Sequence, residues 1–348
     1  MRGPGVHHRR VPVGGRDPAA GSAGGVRSGH SFGDTGEGRV VIPAILAIDL
    51  GKTGCRGSLR LDGVQKDYAE TAGAPGLAAV NGVSAAARAI AEVITQIADL
   101  PPDFTISVGS AGAASAPEAA ARLARQLAEL PGVLSVAVTS DAVTAHVGAL
   151  GGSPGVVLAA GTGAVATAVD ETGRFVRIDG WGPLLGDEGS GGWIGTEGLR
   201  AVLRAHDGRA PGTVLEAKVS ECYGISPDEL PRHLGGQDNP TLLAARFAPI
   251  VAEAAAVDET AAAIMAEAAQ ALARTVFAAV QRCGLRPPVP YTIIGGLTKL
   301  GVALTDPLNR AIAPVVHHRR PHGDPVDGAA LLGSDTTTVL ETQVIRCT

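Results

Sequence analysis

Two stretches of this chain, AILAIDLGKTGCRGSLRLDG (44–63) and GVVLAAGTGAVATAVDETG (155–173), share one pattern: an apolar run, a glycine turn, and a run alternating toward a second turn. Alternation broken by glycine reads as a β-hairpin. Any fold for this chain must therefore place two strand, glycine-turn, strand units. Gly51, Lys52 and Thr53 invite a P-loop reading, but that motif needs a glycine five positions before Gly51, where Leu46 stands. It also opens a helix, and here a strand follows. Neither GKTG nor GTGAVA runs into a crossover helix, which removes the dinucleotide fingerprint. What remains is a pair of hairpin tips whose backbone N–H groups can cradle phosphate oxygens.

Between the hairpins, GVSAAARAIAEVITQIADL (82–100) and APEAAARLARQLAEL (116–130) have helical apolar spacing, while FTISVGSAG (104–112) and VLSVAVTSD (133–141) read as strands. Strand and helix alternate, so an α/β fold follows. Beyond residue 190 the pattern is mostly helical, with a long alanine-rich helix expected from about Ala244 to Arg282 and stopped at Cys283 and Gly284. A final strand in YTIIGG (291–296) and two shorter helices complete the body.

With 348 residues, 45% of them hydrophobic, the chain is long enough for two domains. A net charge of −5 gives no reason to expect nucleic acid, and no apolar run approaches the roughly 20 residues of a bilayer span. Cys55, Cys222, Cys283 and Cys347 lie far apart, suggesting neither a zinc knuckle nor a disulfide scaffold, and a cytoplasmic protein is expected. Residues 1–43 are rich in Gly and Arg without apolar period, and are expected to be a disordered tail with no assigned function. They lack the apolar core of a secretory signal; a transit peptide or a mis-assigned start stays open.

A duplicated domain with one phosphate-binding hairpin from each half resembles the actin, hexokinase and sugar-kinase superfamily, built from duplicated actin-like ATPase (ribonuclease H-like) domains. In order, SDAVTAHVGAL (140–150), AAGTGAVA (159–166) and GWGPLLGDEGSGGWIG (180–195) resemble the N-acetylglucosamine kinase family, also described as BadF/BadG-type ATPases. That resemblance implies an ATP-dependent amino-sugar kinase using Mg2+. Asp141, otherwise readable as a helix cap, becomes the general base. Asp49 holds the metal. The nucleotide falls to Gly51, Lys52, Thr53, Gly161, Thr162, Gly163, Gly295 and Gly296. The sugar falls to Gly109, Ser110, Gly112, Asp141, Gly180, Trp181, Gly182, Asp187 and Gly191. Trp181 reads equally as a wall of the sugar pocket or as packing at an interdomain hinge, and Glu188 reads at least as well as a first-turn helix charge.

The resemblance also implies an N-terminal domain over 44–139, a C-terminal domain over 140–324, a helix near 325–333 packing back on the first domain, and a tail over 334–348. A homodimer is compatible with it. Two departures stand out. The first loop has Leu50, Gly51, Lys52 and Thr53 in place of a glycine run, and Ala164 and Val165 replace the Ser-Asn pair of the animal kinases. Lys52 reaches the phosphates or points to solvent. The missing Asn leaves the N-acetyl preference open. Two further readings remain, an activator-type ATPase and a sugar or nucleotide sensor without turnover.

Overall fold

The computed structural model describes residues 44–348, all within one compact unit. The expected tail over 1–43 lies outside the described residues. The chain opens with β1 (Ala44–Leu50), β2 (Gly54–Leu61) and β3 (Val64–Ala72), then α1 (Gly82–Gln96), β4 (Phe104–Ser110), α2 (Pro117–Ala128), β5 (Val133–Ser140) and α3 (Asp141–Leu150). It repeats the opening with β6 (Gly155–Ala160), β7 (Ala164–Val169) and β8 (Phe175–Asp179). A helical block follows: α4 (Gly191–His206), α5 (Leu215–Tyr223), α6 (Leu230–Gly235), α7 (Pro240–Ala245), α8 (Ala248–Ala254) and α9 (Glu259–Cys283). Then come β9 (Val289–Ile294), α10 (Val302–Ile312), β10 (Val316–His318), α11 (Pro325–Ser334) and β11 (Ile345–Cys347).

The two sheets are copies in topology. The first runs β11-β5-β4-β1-β2-β3 and the second β10-β9-β6-β7-β8. Without β11, each strand of the first maps onto the strand five later in the second. Directions match as well: β1 and β6 each pair antiparallel with the strand after their tip, and parallel with β4 and β9 on the other side. Every residue of β4 is buried, as a parallel strand covered on both faces requires.

Several details depart from the sequence reading. The alanine-rich stretch is not one helix. Helix α8 stops at Ala254, and Asp258 accepts from the Ala261 N–H and so starts α9, while its other oxygen accepts from Thr213 and Val214. By length and composition α9 could cross a bilayer, yet 61% of its most apolar window is buried inside the protein, as suits a core helix. The segment 334–348, expected as a tail, ends instead in β11, which pairs antiparallel with β5 through Ile345, Arg346 and Cys347. Strands β3, β8 and β10 carry too little apolar alternation to be read; β3 faces solvent over most of its length.

Helices α3 and α11, each following the fifth strand of its half, cross one another. A Cβ at Gly148 would sit 1.9 Å from the Asp324 carbonyl oxygen, and one at Gly328 would sit 1.9 Å from that of Thr144. The backbones touch, and His322 and Gly323 donate to the carbonyls of Ala149 and Gly148 at 3.0 and 2.8 Å. On its other side α11 covers β1: Val326, Ala329 and Ala330 pack on Ile45 and Ala47. Arg60 of β2 pairs with Asp327, and Arg56 with Asp324. Because neither glycine has room for a side chain, Gly148→Ala and Gly328→Ala should each cost about 1–3 kcal/mol through overpacking. Thermal unfolding would register this as a lower Tm; an unchanged Tm would mean the helices are not in backbone contact.

Candidate active site

The tips of the two hairpins are closed alike: the Gly51 N–H donates to Gly54 O at 2.9 Å and the Gly161 N–H to Gly163 O at 2.8 Å. At Gly161 a Cβ would meet no atom within 4 Å, so this glycine leaves space open rather than filling a packed corner. Each tip is braced from behind. Gly73 backs the first so closely that a Cβ would lie 2.5 Å from the Gly51 carbonyl oxygen. The first turn of α4 backs the second, with Gly191 and Gly192 donating to the carbonyls of Gly161 and Thr162 at 2.8 and 2.9 Å.

Both tips open onto one cavity of about 1140 Å3. Asp49, Gly51 and Lys52 line it from the first half, Gly161, Gly163, Gly180, Asp187 and Gly295 from the second, and Asp141 from the start of α3. Ser140 caps α3 by accepting from the Val143 N–H, which turns the next residue, Asp141, toward the cavity rather than into the cap. Burial pushes the Asp141 carboxyl above the ordinary aspartate range; the Ala142 N–H at 2.9 Å pulls it back in part, nearby Asp49 pushes it further up, and Lys52 lowers it. A carboxylate of that kind holds a proton more firmly than an exposed aspartate would.

Asp187 has a left-handed backbone, φ 55°, and accepts from the Ala164 N–H at 3.4 Å. Burial raises its carboxyl as well, and Asp179 adds to the rise. Asp179, also left-handed with φ 62°, ends β8 and takes the Asp187 N–H on Oδ1 at 2.8 Å and the Glu188 N–H on Oδ2 at 3.1 Å. One carboxylate thus fixes the backbone that carries Asp187. Arg56 holds Oδ2 of Asp49 through Nε at 3.2 Å and through Nη2, and reaches Asp324 at 3.5 Å.

Other residues expected at the site are not part of the cavity lining. Gly109 lies inside β4, where a Cβ would strike the Thr144 hydroxyl at 2.1 Å, so its glycine serves helix packing. Ser110 is buried and its hydroxyl has no hydrogen-bond partner, while Gly112 turns left-handed behind Ala111, which does line the cavity. The N–H of Gly191 is committed to Gly161, leaving it no backbone donor for a sugar. Thr53, Thr162 and Gly296 are exposed beside their turns and outside the lining. Gly182 lies outside it as well. Trp181 is 69% exposed, and the Arg177 guanidinium carbon lies 5.0 Å from its ring, so it packs neither a core nor a hinge.

Sequence reading missed Arg56, Arg177, Asp179 and Asp324. Asp179 left the best trace, since Asp before glycine marks a turn. Arg56 and Asp324 are 268 positions apart and meet only because α11 lies on β1.

The donor set suits magnesium arriving with a nucleotide. Among the described residues no group of three His, Cys, Asp or Glu could cage a metal. Arg56 engages one oxygen of Asp49, and Mg2+ is commonly held by one or two carboxylates together with substrate phosphates.

The family model described as the BadF/BadG/BcrA/BcrD ATPase family matches residues 46–333. An N-acetyl-D-glucosamine kinase of Dictyostelium discoideum is 31% identical over 209 residues, 57% of this chain and 65% of that protein. An N-acetylmuramic acid/N-acetylglucosamine kinase of Clostridium acetobutylicum is 33% identical over 94 residues, 27% of this chain and 31% of that protein. These alignments span less than two thirds of either relative. A solved structure from Chromobacterium violaceum, provisionally assigned as an N-acetylglucosamine kinase, superposes with a TM-score of 0.67 at 27% identity, covering 84% of this chain and 99% of its own. With a duplicated actin-like sugar-kinase fold and a family match over most of its length, the chain belongs to the BadF/BadG/BcrA/BcrD ATPase family.

Proposed function

We propose that this protein is an ATP-dependent kinase that phosphorylates a hydroxyl of an amino sugar. The observation that carries the reading is that two carboxylates with raised proton affinity, Asp141 and Asp187, face the same cavity as both hairpin tips. In this reading Gly51, Lys52 and Thr53 meet the phosphates from one side and Gly161, Thr162 and Gly163 from the other. Gly295 and Gly296 lie toward the nucleoside. Asp49 would hold magnesium, and the metal, when bound, would supply positive charge against the phosphates. Asp187 and the Gly180 backbone orient the sugar ring. The names of the Dictyostelium and Clostridium relatives support N-acetylglucosamine and, from the latter, N-acetylmuramic acid as candidate substrates.

The step is a displacement at phosphorus. A sugar oxygen forms a bond to the γ-phosphorus, the bond from that phosphorus to the β,γ-bridging oxygen breaks, ADP leaves, and the hydroxyl proton passes to Asp141. Positioning and charge neutralisation contribute most in such transfers, and a placed base adds about 10²- to 10⁴-fold. The partners of this reading are small molecules, and it fits a cytoplasmic protein; a homodimer is compatible with it.

Sugar-dependent release of ADP tests the proposal. Asp141→Asn should lower kcat by about 10²-fold or more with sugar affinity retained; a variant with most of its turnover would remove Asp141 from the mechanism. The base must be ionised, so activity should fall as pH drops, with an apparent pKa above that of an exposed aspartate. Since Lys52 lowers the Asp141 pKa, Lys52→Ala should move that acidic limb to higher pH. A limb that stays in place would mean that the base titrating is another group. Asp179→Ala, which frees two backbone N–H groups, should raise the sugar KM about tenfold and leave the ATP KM within twofold, a loss in the range of one charge-assisted hydrogen bond. Equal rises in both would mean that Asp179 supports the fold rather than the sugar loop.

A further inference from the structure

Asp49 and Arg56 stand directly opposite each other in the antiparallel register of β1 and β2. Two donors along one edge of the guanidinium, Nε and Nη2, fall on the same carboxylate oxygen, Oδ2. A carboxylate oxygen offers about two lone-pair sites, so Oδ2 is filled. Oδ1 accepts no hydrogen bond from the described residues, and the Asp49 side chain is 15% exposed where it lines the cavity. The arginine is also held at its far end. Nη1 reaches Asp324 at 3.5 Å. Asp324 is itself fixed, since its Oδ1 caps α11 by accepting from the Val326 and Asp327 N–H groups at 2.9 and 3.0 Å, and its own N–H donates to Asp327 Oδ2 at 2.7 Å. Arg56 is thus anchored between the first sheet and α11, and Asp49 presents one oxygen rather than two.

Divalent cations differ in what that restriction costs them. Mg2+ keeps several waters and takes one or two carboxylates beside substrate phosphates, in octahedral geometry. Ca2+ takes about six to eight oxygens and often binds both oxygens of one carboxylate. We propose that Arg56 is a specificity-determining residue for the metal: by filling Oδ2 it limits Asp49 to a single-oxygen contact, direct or through a water, which favours Mg2+ over Ca2+ beside the nucleotide. This rests on the reading above of the two tips as a nucleotide site with Asp49 toward the metal. The positive charge of Arg56 opposes both cations alike, so the ratio of their effects, rather than either effect alone, reports the blocked oxygen.

Calorimetric titration of ADP at saturating Mg2+, at saturating Ca2+ and with a chelator gives that ratio without turnover. ADP should bind the wild-type protein about tenfold tighter with Mg2+ than with Ca2+, and Arg56→Ala should bring the two metals to within about twofold, chiefly by tightening binding with Ca2+. Arg56→Lys keeps the charge on a flexible stem in place of the planar fork, and its ratio should fall between. Asp324→Asn retains a capping side chain and releases the outer end of Arg56, so it should shift the ratio the same way by less. A wild-type protein without preference for Mg2+ overturns the proposal, as does a ratio unmoved by Arg56→Ala. Should Arg56→Ala fail to fold, unmoved ratios in both Arg56→Lys and Asp324→Asn overturn it. A metal effect that survives Asp49→Asn would overturn the placing of the metal at Asp49, and a wild-type protein that binds no ADP under any of the three conditions would overturn the nucleotide site itself.

Discussion

The contact between α3 and α11 is the constraint on which the rest depends. Each helix leaves the fifth strand of its half, and they meet through backbone at Gly148 and Gly328. Because no side chain intervenes there, the two helices meet at the closest approach of their backbones, and α11 carries the first sheet on its other face through Val326, Ala329 and Ala330. The two tips therefore face one cavity at a fixed spacing, and the first residue of α3, Asp141, opens onto that cavity with them. Topological duplication supplies two glycine tips, and both open onto one cavity.

Charge is arranged around that geometry in pairs. Arg56 spans Asp49 of β1 and Asp324 at the start of α11, while Arg60 and Asp327 repeat the link one helical turn along. Residues 56 and 60 share a face of β2, since side chains alternate along a strand. The same strand thus ties the closing helix to the first sheet and steadies the carboxylate at the first tip. On the opposite side of the cavity, Asp179 holds the backbone of Asp187 and Arg177 holds the carbonyls of Asp179 and Gly180. Both sides use local hydrogen bonds to orient the groups that face the substrate space, so little ordering remains for the moment of binding.

Much of this was legible before any coordinates. The two hairpins, the α/β alternation and the position of Asp141 at a strand-to-helix junction follow from local pattern, because tight turns and caps are written in adjacent residues, while the carboxylate of the GDEGS stretch was singled out by the family resemblance. Glycines were the weak point. Gly109 and Gly191 looked like substrate contacts, but Gly109 makes room for Thr144 and Gly191 docks a helix on the second tip. A glycine shows that something comes close, and sequence does not say whether it is ligand or protein. Arg56, Asp324 and Arg177 were illegible for a related reason: their roles depend on partners far along the chain, or on which face of a strand meets the cavity. The division of the alanine-rich stretch at Asp258 was local, yet alanine content outweighed one polar residue in a simple reading.

The most direct measurement of the account is a structure of the protein with ADP and an amino sugar bound. The account predicts the diphosphate between residues 51–53 and 161–163, and a sugar hydroxyl about 2.6–3.2 Å from a carboxylate oxygen of Asp141. A sugar seated away from Asp141 and Asp187, or a nucleotide bound outside the two tips, would contradict it.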